Sequence, residues 1–270
     1  MKTIMKYAFA LPVLSLFAFC AKGADVKFVN ICDSTSYIRT GDSSETALSL
    51  DIKIDYTMPY SGIIPENMLK LNDMLTQITG VNFDYEGLPA PSQMVEYEGG
   101  KWVAATSENS KDLLRRIHSN EDDLAFKLWS ESPFIKPVYN DSVRLSMLAG
   151  NYVYTGGAHG MYFDNCVNYS LKEGKFVYLN DIFPGIDSAA GKSKYDEILD
   201  RLLTAKAKKQ ITDNGGALLV DTVSVTSDFA FTKDGIVLRY QPYEIAPWSE
   251  GVVEIPLTYA EIASIVSQVR

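Results

Sequence analysis

The chain has 270 residues, 46% of them hydrophobic and 11% aromatic, enough to bury a substantial core as one large domain or two small ones. Its net charge is −9, with 34 acidic against 25 basic residues. That balance excludes the basic stripe of a nucleic-acid binder and docking on anionic lipid by charge alone, and it suits a basic partner.

Residues 1–23 read as an export signal. Lys2 and Lys6 precede an apolar segment from Tyr7 to Ala21 that is too short for a comfortable membrane span. Two exits stay open. Phe17-Ala18-Phe19-Cys20 resembles a bacterial lipoprotein box, cleaved before Cys20, which then carries the lipid; Phe19 departs from the small residue usual there. Ordinary cleavage after Gly23 fits the small–any–small run Ala21-Lys22-Gly23. Either route exports the chain to the bacterial cell envelope, held to a membrane only by lipid in the first case, periplasmic or secreted in the second. Either leaves Cys32 and Cys166, as one disulfide or as two buried, unpaired thiols. No paired Cys or His spacing marks a metal site, and nothing calls for a cofactor.

Residues 25–44 read as a strand and a polar loop. Leu48, Leu50, Ile52, Ile54, Tyr56 and Met58 then alternate with polar residues, a half-buried strand that Pro59 should end. Ile64-Pro65-Glu66 opens a helix. Met68, Leu71, Leu75 and Ile78 line its buried stripe, and Gly80 is placed to cap it. Residues 87–91 read as an extended loop and Gly99-Gly100 as a hairpin turn. A second helix is expected over 110–129, broken by Pro133 and Pro137, with His118 solvated at its polar edge.

A β-rich half follows. Val143, Leu145 and Met147 alternate, and Tyr152 and Tyr154 resume on the other parity, as a bulge near Gly150 would explain. At the corner Gly156-Gly157-Ala158-His159, the glycines allow positive φ or close backbone approach, and His159 should bond across the turn. A strand to Leu171, a turn at 172–175 and a return strand over 176–179 come next. A third helix over 194–209 buries Tyr195, Ile198, Leu199 and Leu202, and Asp213-Asn214-Gly215-Gly216 stops it. Strands over 229–232, 236–240 and 252–255 and a closing helix over 259–269 complete the chain. Between the last strands, Pro242 to Trp248 should project as a stiff loop. Strands and helices are segregated, so the expected class is α+β, helices packed on mostly antiparallel sheet, in two α+β halves over 24–138 and 139–270.

Three blocks carry a resemblance. They are Tyr154-Thr155-Gly156-Gly157-Ala158-His159-Gly160, then Leu171-Lys172-Glu173-Gly174-Lys175 with Leu179-Asn180-Asp181-Ile182-Phe183. The third is Asp234-Gly235-Ile236 with Pro242-Tyr243-Glu244-Ile245-Ala246-Pro247 and Gly251. Together they resemble the extracytoplasmic domain of unknown function shared by RsiV-type anti-sigma factors, PdaC-type polysaccharide deacetylases and many bacterial lipoproteins. The resemblance implies a non-enzymatic envelope binding module for lysozyme-like muramidases or cell-wall glycan (peptidoglycan). Its contact residues would be Pro242, Tyr243, Pro247 and Trp248, with His159 at the corner. The alternative is an unrecognised cell-wall hydrolase or an accessory domain for polysaccharide deacetylation. Against it, His159 and Cys166 would face opposite sides of one uninterrupted strand, and neither histidine adjoins a nucleophile elbow. No catalytic residue is therefore assigned.

Overall fold

Alternation along residues 47–61 organises the first part of the fold. In the computed structural model, which describes residues 5–7, 26–40, 47–80 and 128–269, this segment is strand β3 (Ala47–Ser61). Leu50, Ile52, Ile54, Tyr56 and Met58 are buried, while Asp51, Lys53 and Asp55 are exposed. β3 pairs antiparallel with β2 (Lys27–Thr40), which also pairs with the short β1 (Met5–Tyr7). Pro59 does not end the strand. The β2–β3 register shifts between Lys27 and Phe28, which leaves Tyr60 as one extra residue, so Pro59 sits buried beside a bulge.

α1 (Pro65–Ile78) has its proline in the first turn, buries Leu71 and Leu75, and ends at Gly80 with φ 76°. Residues 81–109, including the loop expected at 87–91 and the hairpin turn at Gly99-Gly100, lie outside the described residues. So does most of the helix expected over 110–129, with His118. Leu128 and Trp129 belong to β4 (Leu128–Asn140), and Pro133 and Pro137 lie inside that strand rather than breaking a helix. β4 runs parallel to β3. Residues 128–131 and 134–135 pair with it and the ladder lapses at Pro133, which has no N–H to donate.

β5 (Arg144–Tyr154) and β6 (Met161–Ser170) follow, then β7 (Lys175–Phe176). The return strand expected over 176–179 is only this pair, because Leu179 opens the short helix α2 (Leu179–Ile182). The seven strands lie in the order β1-β2-β3-β4-β5-β6-β7. α3 (Ala189–Gln210) starts earlier than its apolar stripe suggests, because the Ser188 hydroxyl accepts the Gly191 N–H at 3.1 Å and caps it. β8 (Phe229–Phe231), β9 (Gly235–Tyr240) and β10 (Val253–Thr258) form an antiparallel sheet, and α4 (Tyr259–Val269) closes the chain. The fold is α+β on two mostly antiparallel sheets.

The chain divides into two units. One takes in Asp25–Lys136 and Ala149–Asp164, the other Pro137–Leu148 and Asn165–Arg270. In the first, the Tyr56 hydroxyl donates to Thr79 Oγ1 (3.0 Å), and Asn151 Nδ2 donates to the Thr79 carbonyl (3.1 Å) and to Glu131 Oε1 (2.7 Å). In the second, Tyr195, Leu199, Leu203 and Ala207 of α3 pack with Phe229, Ile236, Leu238, Ile255, Leu257 and Ile265. The outer edge of β8 is occupied: Ser146 Oγ accepts from the Phe231 N–H (2.8 Å), and Asn168 Nδ2 donates to the Phe229 carbonyl (2.7 Å).

Candidate functional site

The loop after β9 is held by its own residues. The Gln241 N–H donates to Glu244 Oε2 (2.8 Å), the Glu244 N–H to the Gln241 carbonyl (3.0 Å), and the Tyr243 N–H to the Ala246 carbonyl (2.9 Å). Ile245 and Ala246 are buried in the core, and the Leu219 N–H donates to the Ile245 carbonyl (2.9 Å). With both sides of the loop fixed, Tyr243 is turned outward, 51% exposed. Its φ is 70°, and it is the one non-glycine residue with positive φ among the described residues.

The loop expected to project as a whole therefore projects only at Tyr243 and Glu244. Pro242 is buried, and Pro247 and Trp248 are half-buried, with Trp248 opening a 3-10 turn (Trp248–Glu250) that ends at Gly251. The physical reason is the apolar pair Ile245-Ala246, which draws the middle of the loop into the core.

The neighbouring segment adds residues that the sequence reading missed. Leu219 is 53% exposed beside the loop. A Cβ on Gly216 would lie 2.7 Å from Glu250 Oε1, so the chain at 216 passes closely under that carboxylate. The surface therefore combines Leu219 and Tyr243 with the exposed carboxylates Glu244 and Glu250. Burial, and then the negative charges of Glu244 and Asp200, push the Tyr240 phenol beneath the loop up out of its usual range. The sequence signal for Leu219 was only the short apolar run Ala217-Leu218-Leu219-Val220 after a glycine-rich helix stop.

The glycine corner belongs to the first unit. Gly156 and Gly157 both have φ 97°, as their place in the turn required. The Tyr154 hydroxyl donates to the Gly157 carbonyl (2.9 Å), and His159 Nδ1 lies 3.0 Å from the Gly160 carbonyl. His159 is half-buried. The loop over 242–248 falls in the second unit and the corner in the first.

The structure gives each cysteine its own partner. Cys32 and Cys166 do not form a disulfide. Cys32 is exposed rather than buried; its Sγ donates to Asp55 Oδ1 at 3.3 Å. Cys166 Sγ lies 3.8 Å from Nη1 of the buried Arg239, and its N–H donates to Asp228 Oδ1 (2.8 Å). Among the described residues no group of three His, Cys, Asp or Glu side chains is placed to hold a metal ion. No described helix is long and apolar enough to cross a membrane. Cys20 lies outside the described residues.

Residues 180–260 match the family described as protein of unknown function (DUF3298), a span that includes most of α2, all of α3 and the loop over 242–248 but not the glycine corner. No curated protein matches the chain significantly. Two solved structures share the fold. A DUF3298-family protein from Bacteroides fragilis superposes with TM-score 0.70 at 22% identity, covering 92% of this chain and 98% of its own. A DUF3298-family protein from Pseudomonas aeruginosa superposes with TM-score 0.52 at 18% identity, covering 88% and 93%.

Proposed function

We propose that the protein is a non-enzymatic binding module of the bacterial envelope that captures a basic, wall-active protein such as a lysozyme-like muramidase. Tyr243 is the observation that carries this reading. A bulky side chain held exposed at φ 70° sits in a region that L-residues avoid at a cost of about 1–2 kcal/mol. Such strain persists where the surrounding structure over-determines it, and here Ile245, Ala246 and the Leu219 hydrogen bond do so. A rigid exposed aromatic anchor rimmed by carboxylates suits a cationic protein surface, with net charge speeding encounter. The resemblance to lysozyme-binding anti-sigma ectodomains supports the same partner class, and the export signal expected over residues 1–23, with either exit, supports the location.

The test is titration of the purified exported chain with hen-type lysozyme by calorimetry at low and high salt. Binding should weaken as salt rises, and Tyr243→Ala should weaken it at least about tenfold, as truncation of an interface anchor does. Binding that is absent at low salt, or indifferent to Tyr243→Ala, overturns the proposal.

A further inference from the structure

In the first unit, Asn151 of β5 is 2% exposed, and its two partners fix the orientation of its amide. Nδ2 donates to the Thr79 carbonyl (3.1 Å) and to Glu131 Oε1 (2.7 Å), so the buried Oδ1 must accept. No donor among the described residues reaches that oxygen. A buried acceptor without a donor is costly unless something supplies one. Two further negative features stand beside it. Glu131 is half-buried opposite Ile52 of β3, and no cation among the described residues pairs with its carboxylate. The Thr79 carbonyl closes α1, a 14-residue helix with no basic residue in its last turn, so the negative end of the helix dipole lies here. The Tyr56 hydroxyl, donating to Thr79 Oγ1 (3.0 Å), holds that end in place. Phe163 stands next to it. Its Cζ would lie 3.9 Å from a Cβ on Gly80, the residue after Thr79, and the side chain is 46% exposed.

We infer that Asn151, Glu131 and the end of α1 form a binding site for a primary alkylammonium group, with Phe163 beside its carbon chain. The acceptors decide the ligand class. An amide oxygen, a carboxylate and a helix C-terminus all call for donors or positive charge. An ammonium has three N–H donors and no acceptor, so it leaves nothing unpaired against them. A guanidinium fits less well, because Glu131 Oε1 is already shared with Asn151, which competes with a two-pronged grip on the carboxylate. A divalent metal would find one carboxylate where it needs several, and no described group of three His, Cys, Asp or Glu side chains gathers here. The Phe163 ring suits the methylene chain at its edge and the charge at its face. The half-buried Glu131 and the exposed Phe163 leave the group a way in from water.

The experiment titrates the exported chain with Nα-acetyl-lysine N-methylamide, with cadaverine and with the ε-acetylated lysine derivative, followed by NMR. Both amines should give saturable shifts of the Asn151 side-chain amide and contacts to the Phe163 ring. The ε-acetylated compound, which has no charge, should give neither. The tighter of the two amines tells a lysine side chain from a free amine as the ligand. Glu131→Gln keeps an acceptor for Asn151 and removes the charge, so it should weaken both amines at least about tenfold with little change in melting. If Glu131→Gln does not fold, Phe163→Ala decides the matter, and unchanged amine affinity in it overturns the inference. Tyr243→Ala should leave amine binding unchanged, which separates this site from the loop over 242–248. No saturable shift with either amine overturns the inference, since water alone would then meet the Asn151 oxygen. So does full affinity in Glu131→Gln, or displacement of the amines by equal sodium or potassium, which would make this a metal-cation site.

Discussion

Arg239 and Asp228 form a buried ion pair, with Nη1 3.2 Å from Oδ2 and side chains only 6% and 9% exposed. The carboxylate does more than neutralise the arginine. Its other oxygen accepts the Cys166 N–H, while Arg239 Nε reaches the mostly exposed Glu254 at 3.2 Å. Asp228→Ala leaves a buried guanidinium without its main counter-charge and should cost about 3–5 kcal/mol. Urea unfolding should show a lower midpoint with an unchanged slope. Replacing both members, Asp228→Leu with Arg239→Met, should recover part of that loss, because the desolvation of the arginine goes with it.

Acid should weaken the turn between β4 and β5. Burial alone would raise the Asp141 carboxyl. Hydrogen bonds from the Tyr139 hydroxyl, the Val143 N–H and the Arg144 side chain and backbone outweigh it and hold the group at about 2, against an ordinary 3.8. A carboxyl depressed in the folded state gives stability that is present above its unfolded value and is lost as pH falls through the folded one. The window is therefore pH 4 down to 2. After allowing for the partial exposure of the pair, the loss should be about 1 kcal/mol. Thermal melts of Asp141→Asn should lack that part of the pH dependence. Arg144 itself should stay ordered, since its guanidinium lies 5.2–5.5 Å from the rings of Tyr139, Phe231 and Tyr259.

The fold was legible where one face is buried and the other wet. β3, α1, α3 and the β8–β9 hairpin follow their apolar periods, and the turn glycines Gly156, Gly157 and Gly215 stand where φ must be positive. It was illegible where tertiary pairing overrides local signals. Pro133 and Pro137 read as helix breakers, yet β4 tolerates them because the β3 ladder lapses at Pro133 and resumes. The half-buried Trp248 and the buried Pro242 read as exposed anchors because nothing local says that Ile245-Ala246 will be drawn inward. Tyr243 was legible as a contact residue, but its positive φ was not, since nothing in its type requests it.

Gly150, where the sequence suggested a bulge, is also a point of close approach. Its missing Cβ leaves room for Asp164 Cβ and the Phe163 carbonyl, each 2.5 Å from where a methyl would stand, and for the Phe134 ring. Two of those neighbours cannot swing aside, so Gly150→Ala should force β5 and β6 apart and cost about 1–3 kcal/mol. Chemical denaturation of the variant checks this. A substitution within about 0.5 kcal/mol of the parent would show that the strands separate without strain, as at ordinary surface positions.

Cys32 should be exposed yet sluggish. Partial burial of the thiol, its hydrogen bond to Asp55 and the nearby carboxylate charge push its pKa up to about 11. The thiolate, which is the reacting form, is therefore scarce at pH 8. Iodoacetamide should label Cys32 more slowly than it labels a free cysteine, and Asp55→Ala should speed the reaction by removing both the acceptor and the charge. Mass spectrometry of the labelled peptide gives the rate directly.

Strain at Tyr243 makes a comparison that contact geometry alone would not suggest. At φ 70°, alanine keeps the penalty of a Cβ in the left-handed region, whereas glycine does not. Glycine also loosens the unfolded chain, which offsets part of the gain by about 0.4–1 kcal/mol. The balance should leave Tyr243→Gly more stable than Tyr243→Ala by up to about 1 kcal/mol, measured by urea unfolding of the two variants side by side. Both remove the exposed ring, so both should lose the basic partner to a similar extent. A stabilised loop that no longer binds would mean that the strain is kept for the ring it displays, as expected where stability and function compete. Equal stability of the two variants would mean that the loop relaxes once the tyrosine is gone, and would place the cause of the positive φ in the ring's own contacts.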